Sequence, residues 1–335
     1  MKAYQIKQFG IDSLSIGEVE TPVPVSTEVL VKLRAASLNY RDLMMVEGTY
    51  NPKLRLPLVP FSDGAGEVVE VGKDVTRWKT GDRVCPIFMQ GWIDGELDHA
   101  KSKTTLGGDR DGCLREYGVF NEEGLVAIPG RLSFEEAACL PCAGVTAWNA
   151  LMVSGGLKKG DTVLCQGTGG VSLFALQFAK AAGAKVLLTS SSKEKLEKAV
   201  ALGADELINY REREDWDSVV LELTEKRGVE HVIEVGGPGT LQRSMRAVKI
   251  AGHIAVIGVV AGKGEFNNVP IFMKALRMIG VFVGSRAMFD EMNTEISRSK
   301  IKPVIDRTFA FDEVRDALRL MKSGGHFGKL VVNIQ

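Results

Sequence analysis

The sequence has no surplus of charge: 42 Lys and Arg stand against 42 Asp and Glu. That balance creates no long-range field for nucleic acid or an anionic membrane, so neither partner is expected. No apolar run approaches the length needed to span a bilayer. The opening MKAYQIKQFG runs straight into an alternating strand pattern, without the apolar stretch of a secretory signal. The cytoplasm is therefore the expected location. Cysteine is scarce and odd in number (Cys85, Cys113, Cys139, Cys142 and Cys165), which argues against a disulfide framework. His99, His231, His253 and His326 show no metal-ligand spacing. His231 and His253 begin expected strands and are read as structural, and His99 as solvated.

A chain of 335 residues fits two domains. Residues 1–124 read as mostly β, with short alternating runs broken by Gly, Pro and Asp turns. A polar stretch between about Phe88 and Gly112 has no period, and is either a functional lid or a mobile surface segment. From about residue 125 the texture changes. Ser133 and Glu136 form a capping box before an apolar run. Strands are then expected at Thr162–Gln166, Lys185–Thr189, His231–Val235 and His253–Val259, with helices at Val171–Ala182 and from Ser191, capped with Glu194, to about Leu202. Alternation at this spacing calls for a parallel sheet covered by helices.

The strongest motif is QGTGGVS, in which Gly167, Gly169 and Gly170 lie between an expected strand and an expected helix. Glycine permits the tight turn and the close approach of a pyrophosphate, which the free N–H groups of the helix start then bind. Ser172 holds the place of a third glycine and is small enough for close packing. An NAD site asks for a carboxylate at the end of the next strand. This chain has Thr189-Ser190-Ser191-Ser192-Lys193-Glu194-Lys195 instead. Hydroxyls and lysines favour the 2′-phosphate of NADP, although the same lysines also suit the solvated face of a capped helix.

These residues, with Ser37-Leu38-Asn39-Tyr40-Arg41-Asp42, Pro60-Phe61-Ser62-Asp63-Gly64-Ala65-Gly66-Glu67, Gly81-Asp82-Arg83-Val84, Leu140-Pro141-Cys142-Ala143-Gly144-Val145-Thr146-Ala147 and Ile208-Asn209-Tyr210, carry a resemblance over the whole chain. It is to the medium-chain dehydrogenase/reductase superfamily, in its zinc-independent quinone oxidoreductase (zeta-crystallin-like) branch. The resemblance implies an α/β protein: a GroES-like, mostly-β catalytic domain from residues 1–124 and 288–335, and a Rossmann NADP-binding domain, a doubly wound parallel sheet, at 125–287. It also implies a cofactor in the cleft between them.

At the positions where zinc-holding relatives carry Cys, His-Glu and Cys, this chain has Asn39, Ser62-Asp63 and Cys142, so no metal is expected. Zinc-free relatives deliver hydride to quinones or α,β-unsaturated carbonyls. By position, Asn39 and Thr146 would contact the nicotinamide or its ribose. Gly167, Gly169, Gly170 and Val171 would hold the pyrophosphate, and Ser190, Lys195 and Tyr210 would surround the 2′-phosphate. Gly258 and Val259 would flank the dinucleotide, and Val283 to Ser285 would close over the nicotinamide. Tyr50 and Asn39 are the candidate catalytic residues. Tyr50 is either a proton donor to a developing enolate or a packing residue at the rim, and Asp42 orders Arg41 or a turn. Trp92 and Trp148 line an acceptor pocket or simply pack. Residues 262–268 resemble a segment through which such Rossmann domains pair, implying a homodimer. Two other functions stay open: an alcohol dehydrogenase-like enzyme without zinc, and a nucleotide-binding protein with little turnover.

Overall fold

Glu28–Ser37 is buried at most of its positions, and its partly exposed residues, Glu28, Lys32 and Arg34, all fall on one face of the strand. In the computed structural model, which describes every residue except Ala261, Lys263, Phe266 and Gln335, it is the hub of a mainly antiparallel sheet. Its neighbours are Asp63–Val71 on one side and Lys329–Asn333 and Tyr117–Asn121 on the other, with Ile305–Phe309, Arg83–Pro86 and Leu125–Ala127 further out. Leu33, Phe61, Val68, Leu114, Phe120 and Leu330 are among the buried side chains of its core.

The chain divides into two units, Met1–Val145 with Gly284–Gln335, and Thr146–Val283. Residues 125–145 and 284–287, which the sequence reading gives to the nucleotide-binding domain, group with the first unit. Leu125–Ala127 pairs antiparallel with Arg83–Pro86, and Arg286 donates to the backbone carbonyl of Glu123.

The second unit holds six parallel strands in the order Glu206–Asn209, Lys185–Ser190, Thr162–Gln166, Val229–Glu234, Val248–Val256 and Arg277–Gly280. The chain starts at the middle, steps outward to one side, then returns and steps to the other. Right-handed crossovers put the helices of the two halves on opposite faces, so Thr162–Gln166 borders the switch point of a doubly wound sheet. Leu164, Leu187, Val232 and Ile254 form the centre of its buried cluster. The α/β fold expected from strand–helix alternation is the one observed.

Helix Phe134–Ala138 carries the capping box of Ser133 and Glu136. Helix Lys193–Val200 is capped by Ser192, whose hydroxyl accepts from Lys195 N–H, and not by Ser191. The stretch from Phe88 to Gly112 is tied down by more than chance turns. A short helix, His99–Ser102, is capped by Asp98, and Met89 and Thr105 form a β-bridge. Trp92 is buried and donates to Gly95 O at 2.8 Å, and His99 is exposed. No helix among the described residues is long and apolar enough to cross a membrane.

Candidate active site

The switch point carries the glycine loop. Gly167, at φ +71°, turns the chain out of Thr162–Gln166, and its N–H faces Thr189 Oγ1 at 3.3 Å. Gly169 is the N-cap of helix Gly170–Ala181. A Cβ built on Gly167 or Gly169 meets no atom within 4 Å, so their lack of side chains is not forced by packing. Space stays open beside them, next to a helix start whose first N–H groups lack helical partners. That is a cradle for an anionic group. Ser172 is buried and donates to Gln166 O at 2.5 Å, stitching the first helical turn to the strand below it.

A buried network braces the loop from the neighbouring strand. Gln166 Nε2 donates to Glu234 Oε2 (2.8 Å) and Ser244 Oγ (2.7 Å), and Glu234 Oε1 accepts from Gly237 N–H (2.9 Å) and Thr240 Oγ1 (2.5 Å). Beside the cradle, Lys185–Ser190 ends at buried Ser190, whose carbonyl accepts from Tyr210 N–H at 3.1 Å. Tyr210 is exposed, and Lys195 sits in the first turn of the next helix. No carboxylate lies between Ser190 and the exposed Glu194. Gly258 and Val259 follow strand Val248–Val256 at the same edge. A Cβ on Gly258 would lie 2.1 Å from Val235 O, so only glycine fits there.

Val283 is buried with φ +60°, a conformation β-branched residues almost never adopt, and Asn149 Nδ2 holds its carbonyl at 2.7 Å. Strain of this kind gathers at functional positions, and no sequence signal announces it. Thr146 is buried in this unit. Trp148 packs edge-on against Phe178.

Asn39, Tyr50 and Ser285 belong to the first unit. Ser285 is buried and spends its hydroxyl as the cap of helix Arg286–Ser299, accepting from Met288 N–H at 3.3 Å. Asn39 caps helix Tyr40–Val46, and Asp42 returns the bond by accepting from Asn39 N–H at 2.8 Å. Asp42 also accepts from Ser62 N–H at 3.2 Å, with Arg41 3.9 Å away. Asp42 thus braces the turn and sits beside Arg41. Burial pushes the Asp42 carboxyl up to about 6 against the pull of Arg41. The Arg41 guanidinium lies between the rings of Phe88 (4.9 Å) and Tyr50 (5.4 Å) and donates to Leu106 O and Thr105 Oγ1. Tyr50, 44% exposed, is thereby linked through Arg41 to the Asn39 turn.

The four positions compared with metal ligands in the sequence reading, Asn39, Ser62, Asp63 and Cys142, come together here. Asn39 Nδ2 donates to Ser62 Oγ at 3.2 Å, Ser62 Oγ donates to Asp63 Oδ1 at 2.9 Å, and Asp63 Oδ2 accepts from Cys142 N–H at 3.2 Å. Burial, then the charge of Asp63, pushes the Cys142 thiol well above its ordinary range, so it is held as a thiol and not as a ligating thiolate. Sequence reasoning missed the fifth member. Lys329, 3% exposed, donates to Asn39 Oδ1 at 2.6 Å and Leu38 O at 2.7 Å and lies 3.9 Å from Asp63 Oδ2. An amide, a hydroxyl, a carboxylate paired with an ammonium, and a neutral thiol do not fit a zinc ion. The usable signal was a lysine heading the apolar run Leu330-Val331-Val332, because a buried charge needs partners.

Comparison with known proteins agrees with this architecture. Residues 25–130 match the family described as alcohol dehydrogenase GroES-like domain, and residues 170–298 the one described as zinc-binding dehydrogenase. A zinc-type alcohol dehydrogenase-like protein of Schizosaccharomyces pombe is 46% identical, covering 97% of this chain and 96% of its own. An acryloyl-coenzyme A reductase of Metallosphaera sedula is 30% identical over 99% of both chains. The crystal structure of a putative alcohol dehydrogenase from Sinorhizobium meliloti 1021 superposes with a TM-score of 0.93 at 42% identity, covering 99% of this chain and 98% of that one. With a GroES-like first unit, a Rossmann second unit and relatives along its whole length, the chain belongs to the medium-chain dehydrogenase/reductase superfamily and is an oxidoreductase of the NAD(P)-binding kind.

Proposed function

We propose that this chain is an NADPH-dependent reductase of quinones or α,β-unsaturated carbonyls that works without a metal, as in the quinone oxidoreductase branch. One observation carries the reading: an open glycine cradle whose neighbouring strand ends in Ser190 with no carboxylate. The acryloyl-coenzyme A reductase among its relatives acts, by name, on an activated alkene and lends support.

In this reading Gly167, Gly169, Gly170 and Val171 bind the pyrophosphate, and Ser190, Lys195 and Tyr210 the 2′-phosphate. Gly258 and Val259 flank the dinucleotide, while Asn39, Thr146, Val283 and Ser285 position the nicotinamide end. Bound NADPH supplies the hydride. An electron-poor carbon of the acceptor would receive it, and the acceptor would then need one proton from the protein or from water. Tyr50, exposed and stacked on Arg41, gives that proton or relays it from water. Alcohol oxidation needs a Lewis acid or a positioned base to form the alkoxide, and the Asn39–Ser62–Asp63 centre offers no open metal position.

The names of several relatives favour a second reading, an alcohol dehydrogenase-like enzyme. One assay separates the two. NADPH consumption with a simple quinone or enone, unchanged by chelator, is expected. Alcohol oxidation that disappears on chelation overturns the proposal, and tight NADPH binding without turnover over a broad acceptor panel points to a binding protein.

A second copy of the chain is the proposed partner, in the cytoplasm. Arg277–Gly280 is an edge strand, and exposed Val269, Phe272 and Met273 lie just before it. Of the 262–268 segment expected to pair, residues 263 and 266 lie outside the described residues.

A further inference from the structure

The glycine cradle sits where the strands of the parallel sheet finish. Nearer their beginnings, Val163, His231, His253 and Arg277 stand in one register row across four strands, about 13 Å from Gly167 at the rise of a strand. Just before this row the two middle strands part: Glu230 alone faces residues 249–252. Ala251 in that bulge is held at φ +57°, a conformation that favours glycine and gathers at functional positions. The bulge borders a cavity of about 380 Å³, to which Lys158, His253 and Arg277 contribute.

The charges in its wall do not cancel. Asp161 accepts from Lys158 N–H at 2.8 Å and bonds to His231 Nε2 at 3.0 Å. Glu230 accepts from Thr162 N–H at 2.8 Å and pairs with Lys249 at 3.0 Å and Arg227 at 3.6 Å. Both carboxylates are thus matched. The Lys158 ammonium and the Arg277 guanidinium have no carboxylate partner among the described residues; Arg277 donates to Ser154 O at 2.8 Å. Behind them the hydrogen bonds run in one direction. A carboxylate only accepts, so His231 Nε2 carries the hydrogen and Nδ1 of that neutral ring is a bare acceptor. His253 Nδ1, 3.4 Å away, therefore carries the hydrogen of its own ring. His253 Nε2 is left as a lone pair in a side chain 1% exposed, with no partner among the described residues. Such an orphan calls for an explanation.

We propose that this cavity is a second anion site, remote from the cradle, which takes a doubly charged tetrahedral oxyanion of the phosphate-monoester class between Lys158 and Arg277 and couples its binding to proton uptake by His253. Burial, then His231 and Arg277, hold the empty-handed ring neutral, at about 4. Negative charge beside Arg277 offsets that repulsion, so the ring takes a proton from solvent at Nε2 as the anion binds and returns it on release. The other groups facing the ring are Asp161 through His231, Glu230, Lys249 and Lys158. Among all of these only the two histidines are of the kind that titrates near neutrality.

The test uses the full chain with labelled histidine, followed by NMR of the imidazole rings while sulfate is added at pH 7.5, 6.5 and 5.5. Sulfate keeps its charge over this range, and sodium chloride at equal ionic strength is the control. The His253 signal is the one missing from His253→Asn. It is expected to shift saturably with sulfate, and methyl phosphate should compete at pH 7.5. Affinity should rise as pH falls, by up to about tenfold per unit for one coupled proton. Lys158→Gln and Arg277→Gln, both at exposed positions, should each weaken sulfate by at least about tenfold through a lost charge-assisted contact. His253→Asn should still bind sulfate by calorimetry but lose the pH slope. Lys195→Glu should leave the His253 response intact, which separates this site from the proposed 2′-phosphate position.

A shift that chloride reproduces overturns the proposal. So does a response that survives Lys158→Gln and Arg277→Gln together, one that disappears in Lys195→Glu, or a pH slope that persists in His253→Asn. Should that last variant fail to fold, the two exposed positions decide the matter. None of these readouts involves turnover or NADPH, so a chain that fails to reduce enones or quinones would sink the functional reading while leaving this result standing.

Discussion

Gly169→Ala separates folding from binding more cleanly than any other single change. Gly169 has φ −80° and ψ 176°, which alanine adopts without strain, and its new Cβ would meet no atom within 4 Å. Alanine is about 0.5–1 kcal/mol poorer than glycine as an N-cap, and it gains about 0.4–1 kcal/mol by restricting the unfolded chain. The two nearly cancel, so the urea midpoint should move by less than the equivalent of about 0.5 kcal/mol. Binding should respond very differently. The methyl group would stand in the open space where a pyrophosphate must approach the helix start. Losing one charge-assisted hydrogen bond there costs about 1.5–3 kcal/mol, which is roughly 10- to 150-fold in Kd. The assay is a fluorescence titration of NADPH beside urea unfolding of the same preparation. Gly167→Ala is the companion: at φ +71° it should lose about 1–2 kcal/mol of stability to left-handed strain. If Gly169→Ala binds NADPH as wild type does, the cradle is only a tight turn and the dinucleotide argument fails.

Lys195→Glu should weaken NADPH by at least about tenfold, since a charge-assisted contact is lost, and should affect NADH far less; equal losses measured by competition titration would remove the case for 2′-phosphate recognition. A pH prediction concerns the second unit's paired histidines, where His231 Nδ1 and His253 Nδ1 lie 3.4 Å apart and His231 Nε2 lies 3.0 Å from Asp161. Burial, then the neighbouring His231 and Arg277, hold His253 down to about 4. A lowered histidine stabilises the fold in its neutral form, so its contribution is present above about pH 6.5 and is lost as pH falls toward 4. Linkage gives a loss of about 2 kcal/mol by pH 5. Urea midpoints at pH 7.5 and 5 should show it, and His253→Asn should flatten the difference; an unchanged slope in that variant would refute the assignment.

The nucleotide-binding half was legible because its signals are local. An apolar run ending in glycines gave Thr162–Gln166 to the residue, and a 3.6-residue period gave a helix within one residue of Gly170–Ala181. Ser191 and Ser192 differ only in backbone geometry, so the cap slipped by one place. Long-range pairings were silent. Nothing near Leu125 says that it will pair with Pro86, and so the expected boundary at 124 differs from the division after Val145. Nothing near Asn39 says that its amide oxygen will meet an ammonium 290 positions away. The stretch from Phe88 to Gly112 looked shapeless because its order comes from single polar anchors, Arg41 on Leu106 and Thr105, and Asp109 on Thr105, and these leave no period to read.

Lys329–Asn333 lies between Ile305–Phe309 and Glu28–Ser37, joining one of the latest-made parts of the chain to one of the earliest. During synthesis the antiparallel sheet must wait, with the Ala35–Ser37 end of Glu28–Ser37 unpaired on that flank, until residues 329–333 emerge from the ribosome. The six-stranded parallel sheet needs nothing beyond residue 280 and can form while the antiparallel sheet is still incomplete. Chaperones that shield sheet edges therefore have their longest task at this gap, and a chain stopped before residue 329 would hold the parallel sheet complete and the antiparallel one short of a strand.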